Sequence, residues 1–248
     1  MNDTQDTATW HPVAPSAGLR PGANIVAGFA EGQELALWRA ADGTAQAWEN
    51  RCPHRSVRFT LGQVIDNRLA CAYHGWEYAA GSGQCTRIPA HPAMQAPRNV
   101  CAKTFATAEA AGMLWVRLSP EMPSASPAPT SPPAPPAPPA PPAPPAPPAP
   151  PALAGAVPAG WHFCRTLTVR APAATVRETL ARRGLAAGEA TGGWRGPLDG
   201  VDTAALVLDA QPRLAFVHLW TCAAPGSAAM QALHTAARSL RGDIEALG

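Results

Sequence analysis

The chain has 248 residues, of which 46% are hydrophobic and 15% charged, with a formal net charge of +2. That length suits one or two modest domains, and Lys and Arg scattered without a basic, aromatic-laced run exclude a nucleic-acid or anionic-membrane grip. No apolar stretch approaches the ~20 residues of a membrane-spanning helix, and the polar, acidic start lacks the order of a secretory signal, so a cytoplasmic protein is expected.

In chain order, the first half reads as short strands and turns. Residues 25–29, 34–40 and 44–48 form strand patterns, and Asp42-Gly43 supplies the tight turn of a hairpin between the last two. Residues 63–65, 68–72, 103–107 and 113–118 read as further strands separated by Gly, Asn, Asp and Pro. No helix pattern interrupts them, so this half is expected to be all-β. From Pro132 to Ala152 come seven consecutive Pro-Pro-Ala units. Proline lacks the amide donor and fixes φ, so the tract favours polyproline II and would span roughly 65 Å as a spacer.

Beyond it the pattern changes. Residues 163–170 read as a strand, and Thr175 with Glu178 has the spacing of a capping box opening a helix that Gly184 closes. Residues 204–209 and 214–221 suit a strand pair around Gln211-Pro212. From Ser227, residues Met230, Leu233, Ala237, Leu240, Ile244 and Leu247 recur at steps of three and four, the stripe of a helix packed on a sheet. The expected division is residues 1–121 all-β, 122–158 linker and 159–248 a small α+β domain.

Chemistry concentrates in one string: Cys52-Pro-His54, sixteen residues, then Cys71-Ala-Tyr-His74-Gly75-Trp76. Two thiolates and two imidazoles are the donor set of a [2Fe–2S] centre with Cys₂ on one iron and His₂ on the other. Zinc accepts the same donor types, but its ligand pairs usually join Cys to Cys two to four residues apart. The remaining cysteines, Cys85, Cys101, Cys164 and Cys222, read as buried thiols rather than a disulfide framework. His11 and His91 read as structural, and Trp76 and Trp115 as core aromatics.

CPHRSVRFTLG followed by LACAYHGWEY resembles the Rieske domain of the ring-hydroxylating oxygenases, especially their demethylating monooxygenase branch. WHPVAPSAGLRPG, the segment around Pro89 and GMLWVRL fit the same domain. The resemblance implies a [2Fe–2S] cofactor with Cys52 and Cys71 on the inner iron and His54 and His74 on the outer. It also implies electron traffic through the two imidazoles, supplied by a flavin or ferredoxin reductase. High-potential Rieske proteins carry an extra cysteine in each loop and a serine near a cluster sulfur. Here residues 55–58 hold no cysteine, Tyr73 stands in the second loop and Trp76 replaces the serine. Fewer hydrogen bonds to sulfur imply the low end of the Rieske range, near about −150 mV, although Tyr78 is placed to restore one.

In that family a larger helix-grip domain holds a mononuclear Fe(II) through two His and a carboxylate. Its acidic-x-x-His-x(4)-His spacing is absent here. His162, His218 and His234 are far apart and read as structural, and only folding could unite His218 and His234 with Asp209 or Asp243. The second half therefore resembles a reduced helix-grip domain, with no mononuclear iron expected. The leading expectation is an electron-transfer component serving a separate oxygenase subunit. The alternatives are a complete oxygenase with an unconventional iron site, acting on an aromatic or methylated small molecule, and a redox-sensing protein.

Overall fold

The computed structural model describes residues 10–120, 157–188 and 193–248. The Pro-Pro-Ala tract and all of the expected linker except Val157 and Pro158 lie outside the described residues.

Ten strands come first: β1 (Trp10–Pro15), β2 (Ile25–Ala30), β3 (Gln33–Arg39), β4 (Ala45–Glu49), β5 (Gln63–Ile65), β6 (Arg68–Ala70), β7 (Glu77–Ala79), β8 (Cys85–Arg87), β9 (Thr104–Ala110) and β10 (Met113–Pro120). They build a six-stranded antiparallel sheet, β1-β10-β9-β4-β3-β2, and a four-stranded one, β5-β6-β7-β8. The β3–β4 turn is where the sequence places it. Asp42 accepts bonds from the Thr44 amide at 2.8 Å and its hydroxyl at 2.7 Å, and Gly43 takes a φ of +92° that a side chain would resist. Sequence reading passed over β1, β7 and β8, the last two being only three residues long.

Strand β3 shows why this half needs two cores. Successive side chains leave a strand on opposite faces, yet Leu35, Ala36, Leu37 and Trp38 are all fully buried. Ala36 and Trp38 pack with Trp48, Phe59, Leu69 and Tyr78 beneath the four-stranded sheet. Leu35 and Leu37 face the other way, against Leu19, Leu114, Val116 and Leu208. Leu208 belongs to the far half of the chain.

That half contains β11 (His162–Val169), α1 (Ala173–Arg182), β12 (Ala186–Ala187), β13 (Gly193–Leu198), β14 (Val201–Gln211), β15 (Leu214–Thr221) and α2 (Ala228–Glu245). Its sheet runs β11-β15-β14-β13-β12, antiparallel throughout. Both helices cover one face, where Val176, Leu180, Leu233, Leu240 and Ile244 close over Leu167, Val169, Val217 and Leu219. Helix α2 begins as its sequence foretells, with Ser227 Oγ accepting from the Met230 amide at 3.2 Å. Helix α1 does not. It starts at Ala173 behind Pro172 with no side-chain cap, so Thr175 is already inside and its carbonyl accepts from the Thr179 hydroxyl. Proline suits the helix start because its missing amide has no partner there anyway.

The opposite face of this sheet is not free. Ala204, Leu206 and Trp220 join Trp10, Met113 and Trp115 in one buried cluster. The Trp220 indole donates to Ala111 O at 2.9 Å, and the amides of Glu31 and Gly32, at the β2–β3 turn, donate to Asp209 O and Ala210 O at 2.8 and 2.7 Å. A spacer alone would leave two halves tethered; here they share a core. A buried tryptophan of this kind is worth about 3–5 kcal/mol over alanine.

Candidate metal centre

Two loops project from the four-stranded sheet, and they are built alike. In the first, between β4 and β5, the Ser56 amide donates to Cys52 O at 2.8 Å and the Cys52 amide to Val57 O at 2.9 Å. In the second, between β6 and β7, the Gly75 amide donates to Cys71 O at 3.0 Å and the Cys71 amide to Trp76 O at 2.9 Å. The residue that reverses each loop has a positive φ, +56° at Ser56 and +68° at Gly75. At Gly75 a side chain would also press on Pro89, whose Cγ lies 3.1 Å from an ideal Cβ position.

This geometry sorts the four donors by depth. Cys52 and Cys71 are buried at 2% and 4% exposure, whereas His54 is half-buried and His74 exposed. The two imidazoles meet Nδ1 to Nδ1 at 3.2 Å. Burial pushes the Cys71 thiol up, opposed by the Tyr73 and His74 amides directed at its sulfur, while the neighbouring Cys52 raises it further. Partial burial, then His74 and Arg55, hold His54 below the usual histidine range, which favours the neutral imidazole that a metal needs. The Tyr78 hydroxyl stands 3.2 Å from Cys52 Sγ, and burial first, then the thiol, pushes its ionisation far up, so it remains a donor. Among the described residues no three His, Cys, Asp or Glu side chains converge on a point that could hold a single metal ion. Paired sulfurs inside and paired imidazoles outside suit a two-iron cluster better than one zinc.

Residues that sequence reading undervalued support these loops. Trp76 is half-buried rather than a core aromatic, and it stacks on His54 with centroids 4.1 Å apart and planes 6° from parallel. Glu77, 3% exposed, joins Arg68 at 3.0 Å and Arg87 at 2.6 Å beneath the second loop. A carboxylate one residue past a histidine-glycine-tryptophan string was the signal available for it. Trp115 is buried as expected. Cys85 is buried, but Cys101 and Cys164 are only partly so and Cys222 is exposed. Cys222 follows the end of β15, where the chain leaves the sheet. His11 is buried, 3.5 Å from Glu31, whereas His91 and His162 are exposed.

Folding does not unite the distant histidines. His218 donates from Nε2 to Pro12 O at 2.9 Å and accepts at Nδ1 from Thr166 Oγ1 at 2.8 Å, so both ring nitrogens are in use. His234 lies 3.7 Å from Cys164 Sγ. Asp243 pairs with Arg183. No helix among the described residues is long and apolar enough to cross a membrane.

Residues 9–105 match the family described as "Rieske [2Fe-2S] domain". This part of the chain is a Rieske domain. Over 113 residues the chain is 42% identical to "Oxidoreductase NdmD" of Pseudomonas putida, a match covering 46% of this chain and 19% of that protein. Over 120 residues it is 32% identical to the "3-chlorobenzoate-3,4-dioxygenase oxygenase subunit" of Comamonas testosteroni, covering 46% and 28%. The chain thus spans less than a third of either curated relative. The solved structure "Pseudomonas putida CBB5 NdmA" superposes with a TM-score of 0.60 at 19% identity, over 96% of this chain and 81% of that one. The likeness to it is one of fold.

Proposed function

We propose that the chain is a Rieske-type electron-transfer component: Cys52 and Cys71 bind one iron of a [2Fe–2S] cluster, and His54 and His74 bind the other. A bound cluster of this type supplies reversible one-electron chemistry. The protein's own part is to bury the sulfurs, donate to Cys52 from Tyr78, and bring two imidazoles to the surface where a redox partner can touch them. The donor is a flavin or ferredoxin reductase and the acceptor the iron of a separate oxygenase subunit, in a cytoplasmic system. Residues 1–121 form the cluster domain, 122–158 the linker, and 159–248 a small α+β domain of reduced helix-grip type.

The observation that carries this reading is the pair of matched loops, which aim His54 and His74 at one another and outward. The helix side of the β11-β15-β14-β13-β12 sheet supports it: the space between helices and strands holds a packed aliphatic core. Oxygen activation needs an iron with open positions on a preorganised triad, and His218 is committed to Thr166 and Pro12. The fold likeness over nearly the whole chain favours the second reading, a complete oxygenase acting on an aromatic or methylated small molecule.

An iron and sulfide count on anaerobically purified protein separates them. Two irons and two sulfides per chain, with a Rieske electron paramagnetic resonance signal on reduction, are expected; a third iron, with substrate turnover by this chain alone, establishes the oxygenase instead. Cys52→Ser or His74→Ala is expected to abolish that signal, because ligand loss and loop folding are coupled. A variant keeping the signal removes its residue from the ligand set.

A further inference from the structure

The base of the second loop carries a charge that strand pairing does not require. Glu77 opens β7 directly after the loop closes, where the Cys71 amide meets Trp76 O. Register places Glu77 opposite Ala70, one residue before Cys71, on one side and opposite Arg87 on the other. The carboxylate therefore lies at the foot of the loop that carries Cys71 and His74, and it is 3% exposed. Carboxylates are almost never fully buried unless paired, and this one is paired unevenly. Arg87 Nη1 donates to its Oε1 at 2.6 Å. Arg68 Nη1 lies 3.0 Å from Oε2 without the geometry of a hydrogen bond, and Oε2 accepts none among the described residues.

The three charges differ in what surrounds them. The Arg68 and Arg87 side chains are 36% and 55% exposed, and Arg68 is shared with Asp66 at 3.4 Å. Water and salt screen exposed charges and reach buried ones far less, so the carboxylate is the member of the triad whose field the interior transmits. Burial first, with Glu77 among the charges behind it, pushes the Cys85 thiol up, and Cys85 shares its core with Cys52 and Cys71. Stability gives no reason for a negative charge here, because packed hydrophobic residues in place of a buried ion pair are often neutral or stabilising. A neighbouring one-electron centre does give one, since each electron it accepts meets that charge.

We propose that the buried Glu77 carboxylate sets the driving force of the centre: it opposes the incoming electron and so holds the reduction potential low. The inference rests on the cluster reading above and goes beyond it by naming a residue, outside the ligand set, that adjusts the centre. Reduction adds one electron and makes or breaks no bond, so the step changes only charge, and net charge is among the factors that set the potential of iron–sulfur centres. A centre held low passes its electron on rather than keeping it. The two arginines limit this effect and keep the carboxylate ionised in a buried place, and their own exposure keeps them from cancelling it.

The test is protein-film voltammetry of the full-length cluster-loaded protein and two variants whose charge changes have opposite signs. Glu77→Gln keeps the shape and removes the charge, and should favour reduction by about threefold or more, a rise of about 30 mV for one electron. Arg87→Gln strips a cation from the same carboxylate and should lower the potential, by less because more than half of that side chain lies in solvent. The Glu77→Gln shift should persist at about 500 mM salt, since buried charges escape screening. An unchanged or lowered potential in Glu77→Gln overturns the proposal, and so does a shift of one sign in both variants, which is what a merely loosened loop would give. Should Glu77→Gln lose its cluster, Arg87→Gln decides: a lowered potential supports the proposal, and an unchanged or raised one overturns it. The reduced-state resonance spectrum keeps the two readings apart. An intact spectrum with unmoved potentials overturns the role of Glu77 alone, and a wild-type protein without that spectrum overturns the cluster reading itself.

Discussion

Tyr78 is the side chain whose chemistry can be isolated most cleanly. It lies at the bottom of the core with Phe59 edge-on at 5.3 Å, and its hydroxyl reaches Cys52 Sγ at 3.2 Å. Tyr78→Phe keeps the ring and removes only the donor, so the fold should persist. Hydrogen bonds to cluster sulfurs raise the reduction potential, so that variant should be harder to reduce. A bond worth about 1 kcal/mol corresponds to about 40 mV for one electron. Protein-film voltammetry of the two proteins measures it; an unchanged potential would mean that the hydroxyl does not act on the sulfur. The cavity left by one oxygen is too small to confuse the result.

At the scale of an element, the two helices separate pattern from mechanism. Thr175 looks like an N-cap in sequence and is not one, whereas Ser227 caps helix α2. Ser227→Ala should therefore cost about 1 kcal/mol, the usual value for a lost N-cap. Glu178→Ala, on a helix whose start is set by Pro172, should change stability by less than about 0.5 kcal/mol. Urea denaturation of both variants decides the matter, and a larger loss from Glu178→Ala would restore the capping box. The cluster loops are elements of the same kind. Each is closed by two backbone hydrogen bonds around its cysteine, so the proposed ligands sit on a frame already shaped by the chain. Glycine at 75 meets a requirement of that frame, because a left-handed backbone and the nearby Pro89 both exclude a side chain there.

Across the whole molecule, the two halves are joined by hydrogen bonds as well as by tryptophans. His218 is 1% exposed and bridges Thr166 on its own sheet to Pro12 in the first strand of the chain. Burial pushes its pKa down to about 4, against which the Pro12 carbonyl pulls upward. The folded protein thus holds this imidazole neutral while the unfolded chain protonates it near pH 6.5. The unfolded state binds more protons between those values, so His218's contribution is complete above about pH 6.5 and falls as pH drops toward 4, by about 3 kcal/mol in all. His218→Gln can still bond to Pro12 O without titrating. Its stability should respond less to pH over that window, measured by thermal unfolding at pH 7 and pH 5. Equal pH dependence in both proteins would place the sensitivity elsewhere.

The four proposed ligands stand out in the chain alone because a two-iron site demands rare donors at short spacings, and Cys52-x-His54 with Cys71-x-x-His74 offers them locally; the fold sets the two imidazoles Nδ1 to Nδ1 at 3.2 Å. The β3–β4 hairpin and helix α2 were legible for the same reason, since a turn residue and a 3.6-residue stripe act over a few positions. What the sequence could not disclose depends on distant segments meeting. Trp76 reads as core in any window and becomes a stacking partner only where the first loop brings His54 against it. Glu77 is an ordinary carboxylate until β6 and β8 bring Arg68 and Arg87 to it. The union of the halves is the largest such effect. A proline-rich tract in sequence suggests independent domains, whereas Trp10, Trp115, Leu206 and Trp220 bury one another across more than two hundred positions. Local periodicity determines which face of a strand is apolar; only the folded chain decides what that face will cover, because burial is a property of surfaces that meet and not of the residues that supply them.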